Sequence, residues 1–181
     1  TKIFSLILIL LTMLACQRSP DNSTNNNSTL SIDTSLIAIL PPDTTIAEFK
    51  SSIENPQLNI VNKDIETIEF LLSDAVKSYN KNDSKTRFEE WIKSYDTTGT
   101  KLEHFLIDLK QYKRQYIPFT TSHGQKVVYI NCFRETDDKM FAFPEWRKQF
   151  VAVDGGGMNY FHLKVSLDDM NYFDFSINSS E

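Results

Sequence analysis

Tyr160, His162 and Lys164 alternate along one short stretch of the chain, a spacing that places all three on one face of a strand. An imidazole between a phenol and an ammonium can hold a polar ligand or move a proton near neutral pH. These three are therefore the candidate ligand-binding residues. The other histidines, His104 and His123, share no i, i+4 spacing with each other or with His162, and no His-Glu-x-x-His stretch occurs. No metal and no other cofactor is expected. Cys132 sits inside an apolar run, where a thiol is buried and unreactive rather than nucleophilic. Glu89-Glu90, Asp137-Asp138 and Asp168-Asp169 are adjacent carboxylates. Sequence neighbours splay apart on a helix or strand, so adjacency alone makes no catalytic pair. Asp154-Gly155-Gly156-Gly157 lacks the following Lys-Ser or Lys-Thr of a phosphate loop and reads as a hairpin turn. No catalytic residue is assigned.

The elements that must position these residues divide by period. Ile65, Ile68, Leu72, Ala75, Val76 and Tyr79 follow the helical rule from about Asn62 to Asn80. Phe88, Trp91, Ile92 and Tyr95 make a second stripe after Ser84. Thr100 and Glu103 form a capping box for a third helix bearing Leu102, Phe105, Leu106 and Leu109, which must end before Pro118. Upstream, residues 36–40 predict a short buried strand or extended segment stopped by Pro41-Pro42. Asp43-Thr44-Thr45 opens a short helix carrying Ile46, Phe49 and Ile53.

After His123-Gly124 the period drops to two. Residues 127–133, 150–153, 159–167 and 172–177 read as strands, with the Gly-rich turn joining the second to the third. Phe161, Leu163, Val165 and Leu167 share one face, and Tyr160, His162, Lys164 and Ser166 the other. Phe173, Phe175 and Ile177 share a face of the last strand. The expectation is an α+β fold, with amphipathic helices in the N-terminal half packed on a C-terminal antiparallel β-meander of about four strands.

The chain has 181 residues, 13 of them Phe and 7 Tyr, and a net charge of -5. Without a clustered basic run, nucleic acid is not the expected partner. Lys2 precedes an apolar stretch over residues 3–14, interrupted by Ser5 and Thr12. In a helix it would extend roughly 18 Å, short of the roughly 30 Å hydrocarbon core of a bilayer. It therefore reads as the hydrophobic part of a signal peptide, residues 1–15. Residues 17–31 are mostly Ser, Thr and Asn, with too little apolar surface to offset the entropy of ordering, and read as a flexible tether. The remainder, residues 32–181, shows no repeat and no second linker and reads as one globular domain.

Met13-Leu14-Ala15-Cys16 resembles the lipobox of bacterial lipoproteins. That resemblance implies acylation of Cys16 and cleavage before it, with residues 16–31 as lipidated anchor and spacer. Acyl chains contribute about 0.8 kcal/mol per buried methylene, so two or more hold a protein on a membrane stably. Trp146-Arg147-Lys148, Val151-Ala152-Val153-Asp154-Gly155-Gly156, Tyr160-Phe161-His162-Leu163-Lys164 and Tyr172-Phe173-Asp174 together resemble the ending of small uncharacterised lipoproteins of Gram-negative bacteria. The resemblance brings no catalytic residues. The expected protein is a lipid-anchored module of the cell envelope, binding or structural, its partners the membrane and an unknown envelope protein or small ligand. Two alternatives stand beside it: an envelope enzyme using the sheet face around His162, and a lipoprotein inhibitor or immunity protein.

Overall fold

The computed structural model describes residues 32–42, 58–95, 98–135 and 142–179. Cys16, the leader and tether around it, the short helix expected over residues 43–53 and the Asp137-Asp138 pair lie outside the described residues. The fold is α+β, as the periodicities predict. Its sheet has five strands rather than four, and it is mixed rather than wholly antiparallel.

In chain order the strands are β1 (Ile37–Ile39), β2 (Lys113–Thr120), β3 (Lys126–Phe133), β4 (Tyr160–Ser166) and β5 (Asn171–Ile177). They lie in the same order in space. β2 to β5 form an antiparallel meander, and β1 adds to β2 in parallel. The helices α1 (Asn62–Asn82) and α2 (Ser84–Ser94) fall between β1 and β2, so a strand precedes the helices instead of all following them. The carboxylate of Asp64 accepts the Val61 N–H at 2.9 Å, placing an anion at the positive end of α1.

α1 lays Ile68, Leu72, Ala75, Val76 and Tyr79 on one sheet face. There they meet Tyr116 of β2, Val128 and Ile130 of β3, and Phe161, Leu163 and Val165 of β4. Within this apolar layer is one buried ion pair: Glu69 of α1 faces Arg114 of β2 at 2.8 Å, and the Tyr116 hydroxyl donates to the same carboxylate. Two further hydrogen bonds, from Arg114 to the carbonyls of Leu109 and Tyr112, help satisfy its guanidinium. Burial pushes the Cys132 thiol, on this face, well above its ordinary value.

The expected third helix does not form. Leu102–Phe105 and Leu109–Gln111 are separate 3₁₀ turns. Between them the Asn80 side chain donates to the Ile107 carbonyl and accepts the Ile107 N–H, both at 2.9 Å. A helix through Ile107 would need those same groups for its own ladder. Pro118, read as a helix stop, instead lies inside β2. The Tyr116 carbonyl accepts the Leu40 N–H at 2.9 Å, so alternate residues of β2 turn their amides toward β1. β1 ends at Ile39, opposite Tyr116. The missing N–H of Pro118 therefore lies on the β1 side, where the parallel pairing stops, and costs the β2–β3 ladder no bond.

β5 also departs from simple alternation. Between the pairs His162↔Ser176 and Lys164↔Phe173, two residues of β5 oppose Leu163 alone. Asp174 takes φ +54° there, a left-handed conformation that Asp tolerates better than most side chains. This bulge puts Phe173, exposed, on the face opposite Phe175, which stacks on Tyr79 at 5.5 Å. The shared face expected for the two rings is thereby corrected.

Candidate binding cleft on the second sheet face

The second face of the sheet is not open, as alternation alone would leave it. Residues 142–153 fold across it. Phe143, Trp146, Val151 and Val153 cluster over Phe133 and Tyr160, and Phe150 packs on Tyr129, Ile117 and Phe119. The stretch 150–153, expected as a strand, pairs with no strand. Its polar groups are engaged by side chains instead. Gln115 of β2 donates to the carbonyls of Trp146 and Gln149 and accepts the Val151 N–H at 2.9 Å. Asn131 of β3 donates to the Val151 carbonyl at 2.8 Å and to Gln115 Oε1 at 3.0 Å. Both amides are buried, and a buried amide network holds when each member has partners. Further along the cover, Arg147 donates to the Ile37 carbonyl at 2.9 Å and stacks on the Trp146 ring. That closes part of the outer edge of β1.

The Gly-rich segment is likewise a loop, not a hairpin turn between two strands. Gly155, Gly156 and Gly157 all have positive φ. A Cβ on Gly156 would come within 2.4 Å of the Tyr160 ring, so only glycine permits this approach. Asn178 fastens the loop, donating to the carbonyls of Val153 at 2.7 Å and Gly155 at 3.1 Å.

Between this loop, the cover and β5 lies a cleft of about 430 Å³. Its floor is set by register. Gln115, Asn131, His162 and Ser176 are cross-strand partners in turn, forming one polar row across β2, β3, β4 and β5. Gln115 lies beneath the cover, while Asn131, His162 and Ser176 line the cleft. The His162 ring stacks on Tyr129 with centroids 5.5 Å apart. Asp154 and Asn178 stand at the walls.

Of the three residues picked out by alternation, the structure brings two to this cleft. Tyr160 lines it but is itself buried, and burial raises its phenol above the ordinary range. Its hydroxyl finds no hydrogen-bond partner among the described residues. Lys164 does not line the cleft; its ammonium pairs with Asp174 at 2.9 Å, beside the bulge. Asn131, Ser176 and Tyr129 join the site without having been singled out. They lie on other strands, and pairing register is invisible along a single stretch of sequence. Among the described residues, no group of three or more His, Cys, Asp or Glu side chains is placed to hold a metal ion.

A scan against family models, a search of curated proteins and a search of solved structures each matched nothing. Among the described residues, no helix is long and apolar enough to cross a membrane.

Proposed function

We propose that this chain is a lipid-anchored module of the bacterial cell envelope, tethered through Cys16 and residues 17–31, whose folded part binds a small polar ligand or a partner's side chain in the second-face cleft. The observation that carries the binding role is the polar row Gln115–Asn131–His162–Ser176. A row of buried amides that emerges into a cleft beside stacked rings offers several hydrogen-bonding groups in fixed positions. Clefts of about 300–1,000 Å³ lined by rings and a few convergent polar groups are the usual form of ligand sites. The anchor rests on the lipobox resemblance of Met13-Leu14-Ala15-Cys16. Replacing Cys16 with Ser should release the protein from membranes or leave an unprocessed precursor. A wild-type chain found free of membranes would overturn the anchor and leave the cleft to be judged alone.

One observation favours the enzyme alternative: His162 and Ser176 are direct cross-strand partners inside the cleft. Opposed side chains on antiparallel strands stand about 5 Å apart at Cβ, near enough for a base and a hydroxyl to meet. A fluorophosphonate probe that labels Ser176 in the wild type, and fails to do so in His162→Ala, would move the reading to an acyl-transfer enzyme.

A further inference from the structure

A second cavity, of about 340 Å³, opens on the other side of the Gly-rich loop, between α2, the Leu102–Phe105 turn and residues 156–158. Trp91 and Phe105 are both in its lining and in mutual ring contact, centroids 6.1 Å apart. Met158 adds a soft apolar surface. Arg87 of α2 also lines the cavity and is only partly exposed. Among the described residues its one side-chain hydrogen bond is to the Asn178 carbonyl at 3.0 Å, and no carboxylate pairs with it. A half-buried guanidinium has five donors and a lasting charge, so one neutral carbonyl leaves most of its capacity unused. At the exposed rim, the His104 ring accepts the Lys101 N–H through Nδ1 at 3.4 Å. With Nδ1 so engaged, Nε2 is the ring nitrogen left to meet a ligand at the mouth.

We propose that this cavity is a binding site for a small carboxylate with a flat apolar body, an arylalkanoate in chemical class. The carboxylate meets Arg87, and His104 assists from the rim. The ring lies against Trp91 and Phe105. The chemistry suits each part: guanidinium and carboxylate match in a two-point fork, and aromatic faces hold a flat apolar group. Gly156 and Gly157 line the opposite wall. The site is distinct from the His162 cleft. Asn178 lies between them, its side chain holding the wall of one and its carbonyl engaging Arg87 of the other.

The test uses the full chain labelled with ¹⁵N and 3-phenylpropionate as probe. With two tryptophans in the chain, the indole N–H signals form an internal comparison. Binding tighter than about 1 mM should move the Trp91 indole and the Gly156 and Gly157 amides and leave the Trp146 indole in place. The uncharged amide, 3-phenylpropionamide, should bind at least tenfold more weakly to the same wild-type protein, a comparison that no folding defect can mimic. Arg87→Ala should lose at least tenfold in affinity. Lys85→Ala, which removes an exposed cation from the same helix, should lose less than twofold. No saturable shift, equal binding of acid and amide, or shifts centred on Ala152 and Ser176 would each overturn the proposal. The last pattern would still leave the His162 cleft as a ligand site, so the two readings fail separately.

Discussion

On one face of the sheet, Ile130, Phe161 and Leu163 meet the apolar stripe of a regular helix. On the other, Gln115 and Asn131 hold an irregular cover by its backbone. Both faces are closed by apolar contact, but the second is also held by directed hydrogen bonds. The first closure is non-directional and grows with apolar area removed from water, about 25 cal/mol per Å². The second adds to its own apolar clusters a few hydrogen bonds of fixed geometry, each worth about 1 kcal/mol when made and 1–3 kcal/mol when a buried partner is orphaned. Apolar closure tends toward complete filling. Directional closure can stop short and leave space, and here the cleft lies where the amide row leaves the cover. The less regular face is the one that keeps a polar-lined cleft.

The contrast can be broken most forcefully on the helix side. Phe161→Ala should cost about 3–5 kcal/mol, because a fully buried ring leaves a cavity that the close-packed layer cannot collapse into. Denaturant melts measure it, and a loss below 1 kcal/mol would show that the α1 face is not the core. Gln115→Leu should cost less, about 2–3 kcal/mol, by orphaning the buried Trp146 carbonyl and Val151 N–H, while the Gln149 carbonyl, on an exposed residue, can turn to water. Its signature is local: amide exchange should accelerate over residues 146–151 while α1 stays protected.

Alkali sharpens the comparison through the tyrosines. Burial raises the phenol of Tyr112 to about 12, and those of Tyr116 and Tyr79 also upward, on the helix face. A phenol whose folded value lies above its unfolded value of 10 leaves stability untouched below pH 10. Stability then falls as pH rises through the folded value. For Tyr112 alone the loss between pH 10 and 12 is about 2–3 kcal/mol. Absorbance titration should show these tyrosines ionising late, together with unfolding; simple titration of all seven near pH 10 would contradict the packing. His162→Ala should have the smallest effect on stability, under about 1 kcal/mol, because the ring borders a cleft rather than filling a core.

Much of the helix face was legible in the sequence, since α1, β3 and β4 carry uninterrupted periods whose apolar sides must meet. What escaped was tertiary. Pro118 reads as a breaker until β1 is seen to end two residues short of it. Residues 102–109 have a helical pattern, yet Asn80, from another element, takes both backbone groups of Ile107. Residues 150–153 look like a strand, yet Gln115 and Asn131 satisfy that stretch from below. The candidate site was half legible for the same reason. Alternation along β4 found Tyr160 and His162 but also gave Lys164, whereas the polar row runs across four strands and is set by register.

The most direct test of the proposed binding role is to isolate the chain in mild detergent from the cells that make it and identify small molecules bound to it by native mass spectrometry. Ser176→Trp should be compared in parallel, since Ser176 is exposed at the cleft and a large ring there fills the space without disturbing the helix face. The account predicts a species held by the wild type and absent from Ser176→Trp, with equal thermal stability of the two proteins. The same species retained by both, or a wild-type chain that carries nothing, would contradict it.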